Sequence, residues 1–374
     1  MRRTTRLAAL LALVAAVSVS TWGVDTSAAQ EHHGGHGDHH GGHDSTTTTA
    51  PGSTTTTGPG STTTTPPGST TTTIPSQPGA RETTIRYGPF TIPGAPDNPD
   101  GTHGHAHTGN QFRFFVEKPC TDCYITSMQA DLVYPDGRRA GYATDAQLHH
   151  MVLASWTNRQ DATCYVGFPF PLGLIFGQRF FASGDERTDI RMPPGYGYRV
   201  DAFDTWNLIY ELAGMTAEPQ NVIIEVDFEW VPASTPGMTN VEPVWMDLAQ
   251  CGFSEISRPA GPSQASWTWT VNRPGGIMAI GGHIHDDGIN IAIRNDSTGE
   301  LICDSRAGYG EDPLYIDHRG EGHISSMSKC TGRRGAPVAR VANGQRVTMT
   351  AYYDQRQAVD DQMGIVMAFI AANE

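Results

Sequence analysis

Histidines are the residues in this chain whose types and spacing suggest chemistry. His283 and His285 lie in Gly281-Gly282-His283-Ile284-His285-Asp286-Asp287-Gly288. On a β-strand, residues two apart project from one face, so both imidazoles can meet one metal ion while Ile284 packs behind. His149 and His150 are adjacent, in Gln147-Leu148-His149-His150-Met151-Val152-Leu153. Neighbours on a regular strand point oppositely, so this pair can share an ion only at a twist, a bulge or a strand end. His103, His105 and His107 alternate in a glycine-rich segment that reads equally as a loose metal scavenger or a mobile arm. Upstream, His32, His33, His36, His39, His40 and His43 are spaced by glycine. Neutral imidazoles on such a chain would capture Cu(II), Ni(II) or Zn(II). His318 and His323 lie in a loop rich in glycine and charge and read as surface residues or as outer partners of a site. The motifs of serine hydrolases, phosphate-binding loops and zincins do not occur, so those readings have nothing to stand on.

The segments that must position these residues begin after a leader. Arg2, Arg3 and Arg6, an apolar run from Leu7 to Val19, and the small residues Ser27-Ala28-Ala29 read as a signal peptide over residues 1–29. The apolar run is shorter than the ~20 residues a membrane helix needs. A secreted, cell-surface or periplasmic location is therefore expected, with no membrane span. Residues 30–80 combine the His-rich tract with near-copies of PGSTTTT, a disordered, flexible stalk. A net charge of −14 with no basic stripe argues against nucleic acid and anionic membrane partners.

Beyond residue 80, short apolar alternations are punctuated by turns such as Pro135-Asp136-Gly137, Pro194-Gly195, Pro274-Gly275-Gly276 and Asn343-Gly344. The expectation is an all-β chain of two tandem antiparallel, jelly-roll-like β-sandwich domains. They would span residues 81–232 and 240–374, joined by a segment rich in Pro, Ser, Thr and Gly. Six cysteines in an exported chain are expected to pair. Cys303 and Cys330 bracket one loop-rich stretch and are the expected pair, while Cys120 and Cys123 read as structural, with one of them reaching Cys164.

Together the two histidine pairs and their surroundings resemble the catalytic core of copper type II, ascorbate-dependent monooxygenases, the family of peptidylglycine α-hydroxylating monooxygenase and dopamine β-monooxygenase. The resemblance covers roughly residues 110–374. It rests on Leu148-His149-His150-Met151-Val152-Leu153, on the RMPPGYGYRV run at 191–200, on GGHIHDDG at 281–288, and on Gln362-Met363-Gly364-Ile365-Val366-Met367. It implies an electron-transfer copper at His149 and His150, and an oxygen-activating, catalytic copper held by His283, His285 and Met363. A thioether beside imidazoles suits Cu(I). The family's first site takes a third histidine from a strand that here runs from Thr205 to Met215 and has none. Glu211 or Met215 would substitute, or His103, His105 and His107 would fold over the site. Peptidylglycine enzymes also anchor a substrate carboxylate at positions that here hold Gly281, Ile365 and Met367. A buried carboxylate without a partner is costly, so the expected substrate is a small neutral or apolar molecule.

The resemblance thus implies a secreted monooxygenase that uses one or two copper ions, dioxygen and a reductant such as ascorbate to hydroxylate a C–H bond. The alternative is a non-catalytic extracellular copper-binding or carrier protein on the same scaffold, which the His-rich tract and the alternating histidine arm favour.

Overall fold

The computed structural model describes residues 76–96, 105–157, 159–164, 177–251 and 254–374. The expected signal peptide, the His-rich tract, most of the stalk and the expected ligand His103 lie outside the described residues.

The described chain is built from strands with two short 3-10 turns, and it contains no helix long and apolar enough to cross a membrane. In order, the strands are β1 (Arg81–Ile92), β2 (Ala106–His107), β3 (Gln111–Val116), β4 (Cys123–Val133), β5 (Ala146–Ser155), β6 (Gln178–Gly184), β7 (Ile190–Arg191) and β8 (Tyr196–Val200). Then come β9 (Trp206–Gly214), β10 (Gln220–Pro232), β11 (Thr239–Asn240), β12 (Glu242–Asp247), β13 (Ile256–Arg258), β14 (Gly261–Thr270), β15 (Gly275–Ile284) and β16 (Gly288–Asn295). The last are β17 (Glu300–Tyr309), β18 (Ile324–Met327), β19 (Lys329–Thr331), β20 (Ala339–Val341), β21 (Arg346–Gln355), β22 (Val359–Gln362) and β23 (Gly364–Ala371).

One sheet runs β1-β10-β4-β8-β11, with β7 on β4, and a second runs β2-β9-β5-β6, with β3 on β9. Both feed one core. On β10, Val222, Ile224, Val226 and Phe228 alternate inward at the period of two that a half-buried strand requires. A third sheet runs β12-β23-β15-β19, with β20 on β15, and a fourth runs β14-β21-β16-β17-β18. These two share a second core around Ile280, Ile291, Met349 and Val366.

The third sheet is buried on both faces, which explains the uninterrupted apolar run of β23. Val366, Ala368 and Ile370 enter the second core, while Ile365, Met367, Phe369 and Ala371 enter the first. The same parity holds on β15 past a register shift between Ile277 and Ala279. Ile280 and Ile284 turn toward the second core, so Ala279 and His283 face the first.

Two expectations are corrected. Gly275 and Gly276 open β15 rather than forming a turn, and a Cβ on Gly275 would come 2.3 Å from the carbonyl oxygen of Ala371, so glycine there permits close strand pairing. Cys120 pairs with Cys123 instead of reaching Cys164, because Asp122 adopts a left-handed conformation (φ 57°) that folds the segment back on itself. Cys164 pairs with Cys251, and Cys303 pairs with Cys330 as expected.

Candidate metal centre

His149 and His150 sit on β5, whose pairing with β9 shifts register between Gln147 and His150. This is the irregularity that adjacent histidines need if they are to work together, since an extra residue in one strand re-aims its side chains. Both are buried, at 8% and 7% exposure, and their Nδ1 atoms lie 3.3 Å apart. His150 Nε2 is 2.9 Å from Asn110 Oδ1.

His283 ends β15 on the face that looks toward β6, and His285 follows just beyond it, with Ile284 in the second core. The two His pairs meet. The ring of His149 lies 4.4 Å from that of His285, and the rings of His283 and His285 are 5.2 Å apart. His107 joins from β2, its ring 5.2 Å from His149 and its Nδ1 3.1 Å from Glu211 Oε1. Ligand atoms of His107, His149 and Glu211 all lie within 4.8 Å of one another. Glu211 is on β9 directly opposite His150.

Both second-pair imidazoles are oriented by hydrogen bonds through Nδ1. His285 donates to the carbonyl of Asp361 at 2.8 Å, and His283 bonds both carboxylate oxygens of Glu186 at 3.0 Å. Among the described residues the Nε2 atoms of both rings are buried without a hydrogen-bond partner. Gly184 makes room for this arrangement, since a Cβ there would stand 2.4 Å from His283 Cε1.

Met363 is fully buried and held in the same bracket. Gln362 Oε1 accepts from the amides of His285 and Met363, and the Met363 carbonyl accepts from the Tyr353 hydroxyl at 2.8 Å. Met363 lines a cavity of about 50 Å³ with His150, His283, Trp245 and Ile365. On the other side of His283, a polar cavity of about 410 Å³ is lined by His105, His107, His149, Met215 and His285.

The electrostatics favour neutral imidazoles at His149, His150 and His285 but not at His283 and His107. Burial, reinforced by His285, holds His149 well below the usual range. Burial with His285 and His283 pushes His150 down to about 3, and burial with His283 pushes His285 to about 4. Burial alone would lower His283, but Glu186 raises it above its ordinary value. The bond to Glu211 raises His107, against the opposing effect of burial.

Several participants carry no sequence signal. Glu186, Asn110 and Tyr142 match no spacing, and only the folded chain brings them here. Tyr142 donates toward Asp185 and Asp286 at 3.2 Å each and stacks on His323, whose Nδ1 is 2.6 Å from Asp286. His323 therefore lines the polar cavity instead of lying free on the surface, whereas His318 is exposed beside Asp145.

Residues 234–373 match the family model described as stress up-regulated Nod 19. The chain is 27% identical to a "Probable copper-dependent oxygenase M1" of Phoma sp. (strain ATCC 20986 / MF5453), over 78% of this chain and 72% of that protein. It is 26% identical to "Probable copper-dependent oxygenase clz3" of Cochliobolus lunatus, over 65% of this chain and 78% of that one. Among solved structures, the STIV MCP is similar over 78% of this chain and 96% of that chain at 9% identity, with a TM-score of 0.31, too low to bear on the fold.

Proposed function

We propose that this chain is an exported copper-dependent monooxygenase that hydroxylates a C–H bond of a small neutral or apolar molecule, using dioxygen and an external reductant such as ascorbate. The observation that carries the reading is the convergence of His149, His150, His283 and His285, from the two halves of the chain, on one place. The Nε2 atoms of His283 and His285, without a partner among the described residues, are the donors a metal would use, and a buried polar atom left without a partner is otherwise costly. The relatives named as copper-dependent oxygenases support copper as the metal.

In this reading His283, His285 and Met363 hold the catalytic copper and His149 and His150 belong to the electron-supplying side. The four sheets are read as two tandem sandwiches, with the third sheet also packed against the core of the first two. When bound, copper supplies one-electron reduction of dioxygen and the oxidising power for C–H cleavage. The chain's own residues prepare for this. The Asp361 carbonyl and the Glu186 carboxylate engage Nδ1 of the two imidazoles, which leaves Nε2 of each as the metal-binding nitrogen. The mostly apolar walls beside Met363 suit an apolar substrate end.

The test is copper content and ascorbate-driven oxygen consumption on the chain with its six tract histidines replaced (H32A, H33A, H36A, H39A, H40A and H43A), so that the tract cannot inflate the count. Tightly held copper and oxygen consumption that disappears with H283A or M363A support the oxygenase. Copper held without oxygen consumption points to the carrier, and no tight copper at all removes both readings.

A further inference from the structure

We infer that the polar cavity beside His283 is a binding site for the electron donor, and that this donor is a neutral dihydroxybenzene rather than the ascorbate anion. The inference rests on the copper-oxygenase reading and names the site and the chemical class of its reductant.

Three residues on the cavity wall carry the assignment. Gln147 on β5 and Asp185 just beyond β6 are 4% and 7% exposed, and His323 stands just before β18 with its side chain 15% exposed. All three line the cavity of about 410 Å³. Among the described residues, Gln147 Nε2, Asp185 Oδ1 and His323 Nε2 are buried without a hydrogen-bond partner. Two of these side chains are already anchored by their other polar atom: Asp185 Oδ2 accepts from the Tyr142 hydroxyl at 3.2 Å, and His323 Nδ1 is held by Asp286 at 2.6 Å. Buried polar atoms left without partners are costly, so three of them around one cavity point to a ligand that answers them together. An amide N–H, a carboxylate oxygen and an imidazole nitrogen are matched by hydroxyl groups, which donate and accept at once. The volume is that of a small-molecule site.

Charge selects among hydroxyl-bearing reductants. Seven carboxylates line the cavity against two guanidinium groups. Arg356 is already engaged by Asp287 and Glu321, and Arg319 lies 4.0 Å from Asp317. Such a wall repels an anion, which ascorbate is near neutral pH, whereas a dihydroxybenzene is uncharged there. His149, His283 and His285 also wall the cavity, so a donor held in it lies against the imidazoles that would carry the metal. The donor gives up two electrons and two protons and leaves as the quinone. With dioxygen, those electrons and protons convert C–H to C–OH and release one water.

The experiment is anaerobic titration calorimetry of hydroquinone and of ascorbate into the full chain before copper is added. It is followed by stopped-flow reduction of the Cu(II)-loaded chain carrying H32A, H33A, H36A, H39A, H40A and H43A. Hydroquinone should bind saturably and ascorbate roughly tenfold or more weaker at low salt. The gap should close at about 1 M salt, where screening acts within about 3 Å. Q147L and D185N should each weaken hydroquinone binding about three- to tenfold. The hydroquinone concentration that half-saturates Cu(II) reduction should rise in proportion, with copper content unchanged. Circular dichroism checks the fold of the variants, and the comparison of hydroquinone with ascorbate needs no variant. The inference is overturned if hydroquinone does not bind saturably, if ascorbate binds as tightly at low salt, if both variants leave binding unchanged, or if bound hydroquinone does not reduce copper. Oxygen consumption with ascorbate but no hydroquinone binding would sink this inference and leave the proposed function standing, whereas a chain that holds no copper would remove both.

Discussion

Glu186 and His283 meet at 3.0 Å although one lies just beyond β6 of the second sheet and the other on β15 of the third. Glu186 follows β6 in the first half of the chain and His283 closes β15 in the second, so this contact fixes an imidazole of one half by a carboxylate of the other. Burial alone would raise the Glu186 carboxyl, yet His283 holds it below its ordinary range. The pair is thus a charge-assisted contact between buried side chains at the edge of the polar cavity, where both the geometry and the basicity of the ring depend on its partner.

Replacing that carboxylate should be felt by the metal before it is felt by the fold. Glu186→Gln is expected to weaken copper binding about 10- to 100-fold, measured by competition with a chelator, with far-UV circular dichroism unchanged. Unaltered affinity would mean that His283 does not hold the ion.

Gly184→Ala tests the same place sterically. The added Cβ would stand 2.4 Å from His283 Cε1 and 2.9 Å from Glu186 Oε2, both within contact limits that cannot be met without moving the ring. Copper affinity should fall by roughly tenfold or more in a chain that still folds. Retained affinity would show that His283 can shift without cost.

The Cys164–Cys251 disulfide closes a loop across 87 residues of sequence and joins the segment before β6 to the one after β12. In the chain-entropy account a loop of that length stabilises by about 4.6 kcal/mol. The double variant C164S/C251S should lose stability of that order in urea unfolding. A change much below about 1 kcal/mol would mean that the loop ends are held together without the bond.

Acid should unfold this protein partly through Asp161. Burial alone would raise its carboxyl, but Arg179, at 2.8 Å, and the amides of Thr163 and Cys164 hold it below the usual range. A carboxyl depressed in the folded state stabilises fully above its unfolded value of about 3.9. That contribution is lost as pH falls through the lower folded value. Denaturation midpoints measured from about pH 5 to pH 2 should therefore drop more steeply for the native chain than for Asp161→Asn. Parallel curves would remove Asp161 from the account.

Local pattern alone determined a good deal. Short apolar alternations marked the chain beyond residue 80 as β-rich, and the i, i+2 spacing placed His283 and His285 on one side with Ile284 in the opposite core. The loop-rich stretch between Cys303 and Cys330 indicated their pairing. These are properties of a few consecutive residues, and backbone geometry converts them directly into facing. What the tertiary structure decided has no local signature. The register shift on β5 lets adjacent histidines act together, Glu186 reaches His283, and His107 and Glu211 complete a set with His149. The Cys120–Cys123 bond depends on one left-handed residue. Strand register and the packing of one sheet on another arise from long-range contacts, so residues far apart in sequence become neighbours only when the chain closes its cores.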